Sequence, residues 1–167
     1  KLILVYGVIA GLIVTAWLLI AFSDFAQVDF DDGALFGYAS MILAFSTIFI
    51  AIKKHRDNHL DGKIDFKKAM YIGLGITLVA TIIYILCWMV MSETIAKDFM
   101  SEYYQYSVEK LKASELSEVQ INEQIEEMEK FQEMYKNPIV KIGMTFMEIF
   151  PVGLIISLIA ALILKRN

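Results

Sequence analysis

Four apolar runs, each long enough to cross the hydrocarbon of a bilayer, constrain this chain more than any other feature. They occupy residues 2–22, 34–52, 69–91 and 139–164, the last interrupted by Lys141 and Glu148. At about 1.5 Å per residue, a helix over the first run covers roughly 31 Å, one hydrocarbon core. Backbone N–H and C=O groups find no water in lipid, so runs of this length form helices rather than barrel strands. The first run is too long for the apolar region of a signal peptide, and a second span follows it, so it reads as a retained helix. The expected fold is all-α: a four-helix transmembrane bundle over residues 1–167, read as a single membrane domain. Residues 92–137 form an extracytoplasmic helical hairpin between spans three and four.

Composition agrees. The 167 residues are 57% hydrophobic and 20% charged, where soluble domains hold about 45–50% and about 25%. A net charge of −4 argues against nucleic acid, whose phosphates demand a basic face. The lone Cys87 excludes an intramolecular disulfide and a cysteine-rich metal site.

Charge sets the orientation. Residues 23–33 hold Asp24, Asp29, Asp31 and Asp32 and no cation, whereas residues 53–68 hold Lys53, Lys54, Arg56, Lys63, Lys67 and Lys68. Lys1 opens the chain, and Lys165 and Arg166 lie at its other end. Residues 92–137 carry eleven acids and five lysines, a net −6. By the positive-inside rule both termini and the 53–68 segment are cytoplasmic, and the two acidic segments face outward. The basic segment serves chiefly as this orientation signal, with lipid head-group contact as a by-product.

The 92–137 segment is too polar for the bilayer, yet it is patterned. Phe99, Tyr103 and Tyr106 make one stripe and Met100, Tyr104 and Leu111 a second. Ser117 and Gln120 match a capping box. Ile121, Ile125, Met128, Phe131 and Tyr135 then recur at helical spacing. Asn137-Pro138 closes that helix, and Pro138 suits the first position of span four, capped by Asn137. The first arm is expected to continue span three without a break. The stripes serve to bury the two arms against each other. Tyr103, Tyr104 and Tyr106 crowd too closely to face one arm together, so they are candidates for a partner surface.

Small residues recur at helix-contact spacing, as Gly7 and Gly11, Gly33 and Gly37, and Gly153 and Ser157, while Gly73 and Gly75 sit early in span three. Lipid offers no hydrophobic drive between helices, so close backbone approach carries their packing, within one chain or between two.

Glu148 and Pro151 form the candidate intramembrane polar site. Glu148 lies about 15 Å along the fourth span from Pro138, where an ionised carboxylate costs about 2.5–3.5 kcal/mol on insertion scales. Pro151 cannot bond back to Met147, which opens the helix one step from Glu148. Glu148 serves either as a protonated hydrogen-bond donor that holds helices together, with partners such as Thr15, Ser40, Ser46, Thr77 or Thr81, or as a proton or cation relay with Lys141 as a possible counter-charge. His55 and His59 share one helix face at metal-ligand spacing, but no H-E-x-x-H pattern surrounds them, and solvated loop residues are expected. Asp61-Gly62 reads as a turn ending that helix near His59. Cys87 reads as an inert thiol. No nucleophile–base pair, phosphate loop or carboxylate pair is legible, so no catalytic residue, metal site or cofactor is expected.

Several segments carry a family likeness: Gly37-Tyr38-Ala39-Ser40-Met41-Ile42-Leu43, then Arg56-Asp57, then Gly62-x-Ile64-x-Phe66-x-Lys68-Ala69. Met134-Tyr135-Lys136-Asn137-Pro138 and the run Glu148-Ile149-Phe150-Pro151-Val152-Gly153-Leu154-Ile155-Ile156-Ser157 complete it. The chain resembles a bacterial family of small four-span membrane proteins classed as a domain of unknown function. The resemblance implies a multi-pass protein of the bacterial inner membrane and supplies no catalytic or ligand residues. The expected role is a membrane or envelope interaction or accessory protein acting through its outer hairpin. Its partners would be the lipid bilayer and a membrane protein or a second copy. The alternative is a small transporter or ion pathway using Glu148 at the Pro151 break.

Overall fold

The computed structural model of the chain describes residues 1–22 and 30–166. These form six α-helices: α1 (Leu2–Ala21), α2 (Phe30–His59), α3 (Phe66–Met91), α4 (Phe99–Lys112), α5 (Glu118–Tyr135) and α6 (Pro138–Leu164). Helices α1, α2, α3 and α6 are each long and apolar enough to cross a membrane. The fold is therefore the expected all-α bundle with four spans, and the chain is a membrane protein. Asp31 and Asp32 occupy the first turn of α2, where carboxylates suit the positive end of the helix dipole. Asp24 and Asp29, the other acids of that segment, lie outside the described residues.

The chain divides into two compact units, residues 1–87 with 145–167 and residues 88–144. In the first, small residues let the helices meet. A Cβ added at Gly7 would lie 2.6 Å from Val79 Cβ, and one at Gly11 would lie 3.0 Å from Ile83. A Cβ at Gly75 would lie 2.9 Å from the Ile3 side chain. The Gly7-x-x-x-Gly11 face of α1 thus packs on α3 of the same chain. A Cβ at Gly73 would lie 2.8 Å from Ser157, and one at Gly153 would run into Thr77 and Phe45. Phe45, Ile48, Ile76 and Ile149 are fully buried around these contacts.

One end of this unit is tied by its own chain. Helix α2 runs on through Lys53, Lys54 and Arg56, so the connection to α3 is shorter than the basic segment suggests. Asp61 and Gly62 take φ of 49° and 78°, and the Gly62 N–H donates to the Arg56 carbonyl at 3.1 Å. That left-handed turn ends α2 at the position expected, and glycine adopts it without a Cβ clash. The Asp65 carboxylate accepts the Lys68 N–H at 2.8 Å and starts α3. Ile64 and Arg166 exchange both backbone hydrogen bonds, at 2.9 and 2.8 Å. Arg56, only 6% exposed, donates from Nη1 to the Leu164 carbonyl at 3.3 Å and from Nε to Asp57 at 2.7 Å. Its guanidinium closes the last turn of α6, whose carbonyls have no helical donors.

The second unit holds the hairpin of α4 and α5. Its first arm does not continue α3 unbroken, contrary to the sequence expectation. The Ser92 hydroxyl donates to the Met89 carbonyl at 3.3 Å, and the Thr94 hydroxyl donates to Val90 at 2.9 Å. Such side-chain bonds compete with the helical ladder, and turns carry the chain until α4 opens at Phe99. The capping box at α5 forms as expected: the Ser117 hydroxyl and the Gln120 amide satisfy each other's backbone N–H groups. Asn137 accepts the Ile139 N–H at 2.9 Å and caps α6, with Pro138 at its first position.

Candidate functional site

Two places carry the chemistry that the sequence singled out, one in each unit. In the hairpin, α4 and α5 lie side by side, yet neither arm contains a fully buried residue. The stripes therefore bury each other only in part. Between the arms opens a groove of about 800 Å³ lined by Met100, Tyr103, Tyr104, Leu111, Met128 and Phe131, among others. Tyr103 is 41% exposed and stacks on Phe99 with ring centroids 6.1 Å apart. The Tyr104 hydroxyl donates to Glu129 Oε1 at 3.0 Å, joining the two arms. That carboxylate raises the Tyr104 phenol above its ordinary range, by its hydrogen bond first and its charge last. Tyr106 does not line the groove; Lys110 Nζ stands 5.6 Å from its ring centroid. Of the three candidate tyrosines, the groove gathers two.

The base of the hairpin is tied by a polar and aromatic cluster. The Trp88 indole N–H donates to the Tyr135 hydroxyl at 2.7 Å, and the Trp88 ring meets Phe99 edge-on at 5.5 Å. Lys141 is buried here and donates to Ser92 at 3.0 Å and Glu93 at 2.8 Å. Its ammonium also lies 5.7 Å from the Tyr135 ring centroid. The expected counter-charge for Glu148 is thus engaged with Glu93 instead, because Glu93 sits on the turn beside it.

Glu148 lies on the exposed side of α6. Its Oε1 accepts the Tyr84 hydroxyl at 3.3 Å, and Tyr84 is itself buried. None of the hydroxyls expected to hold it does so. Ser40 and Ser46 donate to the carbonyls of Gly37 and Leu43 on their own helix. Thr77 pairs with Ser157 at 3.2 Å. Thr15 and Thr81 are buried, and among the described residues their Oγ1 atoms find no hydrogen-bond partner. Tyr84 escaped the sequence reading, although it stands seven residues from Thr77, two turns along the same face of α3. Arg56 escaped it too, because a cation in a basic segment reads as an orientation signal rather than a cap.

A protein-family model described as "Protein of unknown function (DUF4199)" matches residues 5–166. The chain belongs to that family. The match runs through all four spans and the hairpin, so the α4–α5 groove and the Glu148–Tyr84 contact both lie within the DUF4199 region. No curated protein matches the chain, and no solved structure does.

His55, His59 and Cys87 are the remaining candidates from the sequence. The His55 and His59 rings stack at 5.2 Å on α2, and among the described residues no third His, Cys, Asp or Glu joins them in a metal-binding group. Cys87 is a free thiol, partly covered on α3.

Proposed function

We propose that this membrane protein is an interaction or accessory component that binds another membrane or envelope protein through its α4–α5 hairpin. The open groove between the arms carries this reading. Two apolar stripes that stop short of burial leave methionine and aromatic surface that a partner helix would cover. Eleven acids against five lysines around it favour a basic partner. The cations at residues 53–68 and 165–166 and the acids of the hairpin support an orientation with both termini in the cytoplasm. The resemblance described above supports the bacterial inner membrane as its location, with residues 1–167 as one membrane domain.

Replacing residues 99–135 by a short Gly-Ser linker tests the reading, with Phe131→Asp as a point variant. Cross-linking in the native membrane should lose its specific products in both. An unchanged set of cross-linked products contradicts it.

A second reading, a small transporter or ion path, draws on the hydroxyls of Thr15 and Thr81, buried and without a partner among the described residues, and on Glu148 at the Pro151 break. On that reading Glu148→Gln abolishes proton flux in reconstituted vesicles; an unaltered flux rejects it.

A further inference from the structure

The outward stripe of α6 holds one carboxylate. Glu148, Ile155, Leu158 and Leu162 recur at spacings of seven, three and four, and all four are exposed. Glu148 Oε1 is taken by Tyr84; no described residue donates to Oε2. Pro151, inside the same helix, has no N–H, so the Met147 carbonyl lacks its helical donor. Met147 is 65% exposed. This face therefore offers the Met147 carbonyl and the Glu148 carboxyl at a depth where lipid supplies neither water nor donors, and that carboxyl holds its charge there only beside a cation.

The missing chemistry is a donor, best a cationic one. A second copy of the chain would bring the same two groups to a shared face. Its own cation on α6, Lys141, is already bound to Ser92 and Glu93. We propose that the Glu148 face of α6 docks a transmembrane helix of a different protein, one that carries a lysine or arginine at matching depth. Nothing in the α4–α5 hairpin enters this proposal, so it stands or falls independently of the groove reading.

The intact chain in phosphatidylcholine vesicles provides the test. Energy transfer from its own Trp17 and Trp88 to dansyl-labelled transmembrane peptides reads association. One peptide is a leucine host with a single lysine at the depth of Glu148. A second has leucine there, and a third carries the lysine two turns deeper. The depth-matched lysine peptide should associate at about tenfold lower mole fraction than the other two, the order expected of one charge-assisted interhelical bond. Glu148→Leu should erase that preference. Glu148→Gln, which keeps shape and a hydrogen-bond acceptor, should reduce it. Equal association of the lysine and leucine peptides overturns the proposal. A preference that survives Glu148→Leu, or that ignores the depth of the lysine, overturns it as well.

Discussion

Single side chains explain how each unit holds its shape. Tyr104 donates to Glu129 across the hairpin, and the acceptor carboxylate keeps its phenol protonated to higher pH than usual. A folded value above the unfolded one means that the contact is fully present below the ordinary tyrosine value. It is lost as pH rises through the folded value. Tyr104 should therefore titrate above the ordinary tyrosine range in the intact chain, read by ultraviolet difference absorbance against Tyr104→Phe. Glu129→Gln should bring it back down; no change would remove the contact from the account. Glycine positions make a second prediction at this scale. Alanine at Gly7 has Val79 in its way, whereas alanine at Gly143 meets nothing within 4 Å. Gly7→Ala should destabilise the bundle by about 1–3 kcal/mol, the usual range for overpacking. Gly143→Ala should stay within roughly 0.5 kcal/mol. Detergent-phase thermal unfolding distinguishes the two.

At the scale of elements, caps and breaks decide where each helix begins and ends. Removing the α5 cap by Ser117→Ala should cost about 1 kcal/mol of local stability. Faster amide exchange over the first turn of α5, with α4 unaffected, is the expected readout. These ends were legible because short-range chemistry writes them: Ser117 with Gln120, Asn137 with Pro138, Asp61 with Gly62. Span lengths were legible because lipid thickness sets them. The break after Met91 was not, because the hydroxyls of Ser92 and Thr94 could equally have faced outward from a continuing helix. Nor was the Tyr84–Glu148 contact, since hydropathy and period place both residues in spans but cannot choose the facing partner among several hydroxyls. Arg56 illustrates the same limit. Its link to Leu164 joins residues 108 positions apart, and no local pattern announces a contact that long. Arg56→Met, similar in length but without donors, should fray the last turn of α6 and break the Ile64–Arg166 bridge, seen as faster amide exchange at Ile64 and Arg166.

At the scale of the whole molecule, α1, α2, α3 and α6 are the helices long and apolar enough to cross lipid. With α3 as the single span between the 60–65 connection and the hairpin, the expected exposure of these two stretches is on opposite faces of the membrane. That consequence holds whichever way the termini point, and the positive-inside rule adds which face is which. Single cysteines at Lys63 and Glu126, in a Cys87→Ser background, make the decisive comparison with a membrane-impermeant maleimide on sealed cells. The account predicts that the cysteine at 126 reacts at once and the cysteine at 63 reacts only after permeabilisation. Reaction of both from the same side of an intact membrane would contradict it.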